Sequence, residues 1–270
     1  MRCHSGGMPK VNDGSEERCA EPGPVFFTTR LMHEIGVPAG QEWKSSAALH
    51  CETHAMTPVE QFDRTVERAN AIVELHQRTY AKKGRPPQEW SDVLRGALML
   101  VVAALDALVD DLLVDRLPVA ITRGVQGPTV DGWVKSDPKR ALQALADPNQ
   151  LEFLTTWVKE VHSKDSFVQP WVIEAALRDE LGCPIGVGGA SEPWDGMAAR
   201  LALLGVTWTP NDCRSTLERI VRRRNDIAHD GDVDQTGRTQ SIRRDHVAVA
   251  VLAISCAGRS INAVVHGHIP

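Results

Sequence analysis

The sequence predicts an all-α protein, and three observations carry that expectation. Apolar residues recur at three- and four-residue steps through every long segment, strand-like alternation is nearly absent, and Pro and Gly punctuate the chain at intervals that suit helices. The 270 residues are 42% hydrophobic, enough for one substantial core, and no internal repeat is visible.

Residues 1–55 mix Gly, Pro, Ser and charge without a sustained period and are expected to be flexible or loosely attached. The first helix should open at Thr57-Pro58: Thr can cap it, Pro suits the first helical position, and Glu60 supplies a carboxylate three residues after the cap. Phe62, Val66, Ala69, Val73, Leu75 and Tyr80 then lie roughly along one face as far as Lys82, before Gly84 to Pro87 break the pattern. This segment, 56–87, is expected to pack on a bundle spanning 88–266. The bundle should open with the longest helix, Gln88 to Leu117, whose apolar coverage is wide enough for burial on more than one side. Pro118 is expected to end it.

Between Val119 and Gly205 the pattern is choppier and reads as a helical insertion, 119–205, with pieces at Pro138–Ala146, Asn149–His162, Pro170–Leu181 and Trp194–Leu204. The run "GCPIGVGGAS" at 182–191 lacks the G-K-[ST] ending of a phosphate loop and follows no strand, so it reads as a connector. A helix from Asn211 to His229 and a last one from Ile242 to His266, rich in Val, Ile and Ala, complete the order.

Composition narrows function by exclusion. Seven Trp but a single Tyr argue against a single-strand nucleic-acid binder built on aromatic platforms. A net charge of −5 rules out a globally basic nucleic-acid coat but leaves room for a local basic site. Cys3, Cys19, Cys51, Cys183, Cys213 and Cys256 form no C-x-x-C pair, so neither a zinc knuckle nor a thioredoxin-like site is suggested, and reduced thiols in a cytoplasm are the simplest reading. No apolar signal segment opens the chain, and neither secretion nor membrane spanning is expected.

The chemistry concentrates in "RRRNDIAHDGDVD", residues 222–234. Arg224 and His229 are five residues apart, which an α-helix turns into one full turn plus about 140°. They can share a pocket if the helix loosens at Asp230-Gly231, or if a symmetric partner brings two such pairs together; Ile227 and Ala228 between them can face the core. RNA cleavage needs a 2′-hydroxyl deprotonated, a 5′-oxygen protonated and a crowded phosphorus stabilised. Imidazole suits the proton work, guanidinium forks onto phosphate oxygens, and Asn225 can donate an amide or orient the His. No metal or other cofactor is required when the 2′-hydroxyl attacks, and DNA, lacking that hydroxyl, is no substrate.

These residues resemble a known family. "RNDIAH" at 224–229 is similar to the R-x4–6-H motif of HEPN-domain ribonucleases, compact helical proteins of toxin–antitoxin and phage-defence systems. "ALDALVDDLLVDRL" at 104–117 resembles the first core helix of the RiboL-PSP-HEPN subgroup, and "RRDHVAVAVLAISCAGRSINAVV" at 243–265 its closing helix. The resemblance covers roughly 88–266, with the middle poorly matched. It implies a HEPN-like bundle and a homodimer whose two motifs face each other. It further implies metal-independent endoribonuclease activity leaving a 2′,3′-cyclic phosphate, with RNA and an antitoxin or defence-system protein as partners. Carried over by residue, Arg224 binds phosphate, Asn225 is its polar neighbour and His229 transfers the proton; Arg222 and Arg223, outside the motif, would make only substrate-backbone contacts. The insertion departs from the compact pattern and leaves the shape of the cleft open.

Blander readings stand beside this one. Arg222 and Arg223 can be a solvated helix face, and His229 can close a helix C-terminus, where the dipole favours imidazolium. A non-catalytic HEPN-like module binding nucleotide, RNA or a partner protein is the alternative function. Asp230, Asp232 and Asp234 imitate the start of an EF-hand loop, but Gln235 and Ser241 stand where Gly and Glu belong. A metal phosphohydrolase would need His162, His246, Asp106 and Asp110 to converge on His229-Asp230. Asp106 and Asp110 share one helical face and, with Asp230, are candidate polar partners for the arginines, or Asp106 and Asp110 simply mark the exposed edge of a buried helix.

Overall fold

The computed structural model describes residues 56–80, 87–124, 131, 135, 137–162, 165–183, 193–233 and 236–268. The expectations for 1–55, for the break after the first helix, for most of the Gly-rich connector and for Asp234 and Gln235 fall outside these residues. Among the described residues the architecture is all-α: α1 (Pro58–Thr79), α2 (Gln88–Thr122), α3 (Pro138–Ala146), α4 (Gln150–His162), α5 (Pro170–Ala175), α6 (Pro193–Leu203), α7 (Pro210–Asp230) and α8 (Arg244–His268). The only extended pairing among them is an isolated antiparallel bridge, Val233 with Thr239.

Local sequence accounts for the helix starts. Thr57 and Glu60 exchange side chain and backbone in a full capping box with Pro58 at the first position, and Thr209, Asp212 and Pro210 repeat the device at α7. The final helix begins at Arg244, two residues later than the sequence suggests. The expected Pro170–Leu181 helix divides into α5 and a wider π-turn over Ala176–Glu180.

Two helices organise the core. α2 packs against α1, α4, α7 and α8, while α8 packs against α1, α2, α6 and α7. Leu94, Leu105, Leu108, Leu112 and Leu113 of α2 are almost wholly buried, each contributing about 1.5–3 kcal/mol relative to an exposed side chain. This contact also explains why Pro118 does not end the helix. The ring removes one donor and crowds the carbonyl of Val114, a cost of about 3 kcal/mol in a helix interior, yet Leu117 and Ala120 on either side are buried and hold the chain helical to Thr122. α8 is long and apolar enough by length and composition to cross a membrane, but 56% of its apolar window is buried in this bundle, as suits a core helix.

Where α8 crosses α1 and α2 the backbones come close. A Cβ at Gly258 would collide with the Phe62 ring and reach Leu108 Cδ2 at 3.0 Å. Phe62 is itself in the core and has little room to move. Gly258→Ala should therefore destabilise the fold by about 1–3 kcal/mol, the usual cost of overpacking. Thermal unfolding measures this, and an unchanged melting temperature would contradict the close crossing.

Candidate functional site

The charged stretch lies at the C-terminal end of α7 and in the turn that follows. The helix does not loosen at His229: it stays α-helical through Asp230. Gly231, at φ 62°, then provides a left-handed cap whose N–H donates to the Asp226 carbonyl, and the Asp232 N–H donates to the same oxygen at 3.2 Å. A regular helix keeps Arg224 and His229 about 140° apart around its axis, with Asn225 between them. Within one chain the pair does not converge. Of the expected filler residues, Ile227 is half-buried against the core, but Ala228 is exposed.

Asp232 holds this end of the molecule in place. Its side chain is only 1% exposed, and it is the one described non-glycine residue with positive φ, at 62°. Arg95 Nε of α2 donates to Oδ2 at 2.5 Å, and Arg223 of α7 pairs with both oxygens, Nη1 to Oδ1 at 2.5 Å and Nη2 to Oδ2 at 2.9 Å. The backbone joins in: the Gln240 N–H donates to the Asp232 carbonyl at 2.7 Å, Arg95 Nη2 donates to the Gln240 carbonyl at 2.6 Å, and Arg223 Nη1 donates to Gln240 Oε1 at 2.7 Å. The clamp thus joins α2, α7 and the segment leading to α8.

This corrects the expectation for Arg223, whose guanidinium is committed to Asp232 and Gln240 rather than offered to a substrate. Sequence reasoning also missed Arg95. The signal was present: an arginine among Leu94, Ala97 and Leu98 on an apolar helix must find an anion when buried.

The other candidates are placed differently. Arg222 is 71% exposed and reaches Glu218 only at 3.8 Å. Arg224 is half-buried and forms no ion pair among the described residues; Nη1 donates to Asn225 Oδ1 at 3.1 Å, and its buried Nε has no acceptor. His229 is exposed. Asp106 and Asp110 are not partners of these arginines. Asp106 accepts from the Phe167 N–H at 2.6 Å and from the Ser166 hydroxyl, tying α2 to the segment before α5. Asp110 lies on that same side, near His162 and Asp165. The Asp230 side chain falls outside the described residues.

Of the proposed phosphohydrolase ligands, His162 pairs with Asp165 beside Asp106 and Asp110, whereas His246 lies between α7 and α8. Among the described residues no three His, Cys, Asp or Glu side chains come together as a metal site. Cys183, Cys213 and Cys256 are free buried thiols, and burial pushes the first two up to about 11, so they are protonated at neutral pH and poor nucleophiles.

Two outcomes follow for stability. Asp232→Ala leaves two guanidinium groups facing a buried gap and should cost about 3–5 kcal/mol, read as a lowered urea midpoint. A midpoint within error of wild type would mean that the clamp does not hold the turn. Asp110 behaves oppositely: its Oδ1 is buried without a partner, and burial, followed by the charge of Asp111, raises its pKa. A folded pKa above the unfolded one makes the ionised form a cost that is present above the folded pKa and absent below the unfolded value. Asp110→Asn should stabilise the protein at pH 7, with the advantage fading as pH falls toward about 3.9. Equal effects at both pH values would contradict that assignment.

Comparisons with protein-family models, curated proteins and solved structures return no match.

Proposed function

We propose that this chain is a metal-independent endoribonuclease of the toxin–antitoxin or phage-defence type, a HEPN-like protein acting as a homodimer. The observation that carries the reading is Arg224. A half-buried guanidinium that forms no ion pair among the described residues, and whose Nε finds no acceptor there, is suited to an anion, because leaving such a donor unmatched costs on the order of 1–3 kcal/mol. Asn225 beside it supplies an amide, and His229, exposed on the same helix end, supplies a proton carrier.

The geometry of α7 supports the dimer. Arg224 and His229 diverge around a regular helix, so one chain offers a phosphate clamp on one flank and an imidazole on the other. A two-fold axis beside Asn225 would set the His229 of each copy near the Arg224 of its mate and bring two imidazoles to one cleft. Acid–base cleavage uses both. One imidazole takes the proton of the 2′-hydroxyl as its oxygen forms a bond to phosphorus. The phosphorus–O5′ bond breaks, the second imidazole protonates the departing oxygen, and a 2′,3′-cyclic phosphate remains. The arginines stabilise the charge on the non-bridging oxygens.

Incubation of the purified protein with RNA in EDTA tests the reading. Cleavage is expected, a 2′-deoxy substitution at the cut nucleotide should abolish it, and light scattering should report a dimer. His229→Ala and Arg224→Ala should each lower the rate by at least about 100-fold with folding retained. A folded His229→Ala protein that cuts at the wild-type rate would reduce His229 to a helix-end charge. RNA retained without cleavage would favour the binding-module alternative.

A further inference from the structure

Arg219, Arg222, Asp226 and His229 follow one another at steps of three, four and three, so they form a single stripe on α7 about 15 Å long. Its two arginines are underused. Arg219 is exposed, its Nη2 donates to the Thr216 hydroxyl at 3.0 Å, and it forms no ion pair among the described residues. Arg222 has only the distant Glu218. At the Arg219 end the stripe runs into a groove of about 340 Å³ between α7 and the start of α8. Its floor is aliphatic, including Leu98, Ile220 and Val247; Thr216, Ser241, His246 and the clamped Arg223 supply polar groups, and among the described residues no carboxylate lines it. Asp212 lies near Arg219 and Glu218 near Arg222, but neither carboxylate is among the described lining of the groove, so the two guanidinium groups remain able to meet an anion at its edge.

We propose that the stripe and groove bind single-stranded RNA flanking the scissile phosphate, with Arg222 and Arg219 each taking a backbone phosphate and the groove taking one unstacked base. The inference rests on the ribonuclease reading for its direction, because the stripe begins at His229. The chemistry selects the ligand. Guanidinium forks match phosphate oxygens, the flat face of a base can lie on an aliphatic floor, and two hydroxyls and an imidazole can meet its edge. Bases stacked in an A-form duplex cannot enter such a groove, so the path selects single strands. Asp226, the one acid on the stripe, lies between Arg222 and His229 and disfavours a phosphate at that step.

The test separates binding from cleavage by using an RNA that cannot react: a fluorescein-labelled 2′-O-methyl oligouridylate, followed by anisotropy. Arg219→Ala should weaken binding on the order of 5- to 10-fold at low salt and make the slope of log K against log salt shallower by about 0.7, the loss of one phosphate contact. Arg219→Lys should recover most of that slope. His246→Ala should narrow the preference for the single strand over a 2′-O-methyl duplex of the same length. Circular dichroism verifies that each variant is folded. An Arg219→Ala protein with wild-type affinity and salt slope overturns the proposal, even if the wild-type protein cuts RNA. Tighter binding of an acidic Glu/Leu peptide than of the oligonucleotide also overturns it and assigns the groove to a protein partner. Arg219-dependent binding without cleavage of ordinary RNA upholds the path while removing the ribonuclease reading.

Discussion

The carboxylate of Asp232 is the constraint on which this end of the molecule depends. It lies in a residue with a left-handed backbone, which costs about 1–3 kcal/mol for a non-glycine side chain, and it is removed from water. Both costs are offset because two guanidinium groups from different helices meet it and the surrounding backbone groups are hydrogen-bonded to the same set of residues. Remove the carboxylate and Arg95 and Arg223 repel each other inside the fold. Keep it, and α7 is fixed in roll against α2, which determines the directions taken by Arg224, Asn225 and His229.

The three consecutive arginines show how one sequence feature divides into three physical roles. Arg222 points to solvent, Arg223 turns inward to the clamp, and Arg224 stays half-buried with no counter-ion among the described residues. Successive residues on a helix differ by about 100° in direction, so adjacent identical side chains meet unrelated surroundings. Charge density alone could not assign these roles. The position of each residue relative to α2 does.

Much of the fold was legible because it rests on local rules. The cap signal at Thr57 and the apolar repeats of the long helices placed most helix boundaries to within two or three residues, while the capping box at Thr209 is legible only in the structure. Most of the failures are non-local. Pro118 reads as a stop until the burial of Leu117 and Ala120 is known, and Gly231 reads as a point of loosening although it caps a helix that remains regular. Asp106 looked available to the arginines of α7 because nothing in the order of residues places Phe167 and Ser166 against it. At the candidate site the residue types were legible, but the partner of Arg223 was not, because Arg95 lies far away in the chain.

That distance has a consequence for the order of folding. The Arg95–Asp232 contact closes a separation of 137 residues, and the contact of Arg95 with the Gln240 carbonyl closes 145. On α2 itself Arg95 has only the exposed Asp92, at 2.9 Å, and its buried anion, Asp232, is supplied 137 residues further along. The end of α7 therefore takes its final orientation late in folding, since contacts of long sequence separation form late. Whatever the end of α7 presents to solvent is thus presented only once α2 and the segment before α8 have met.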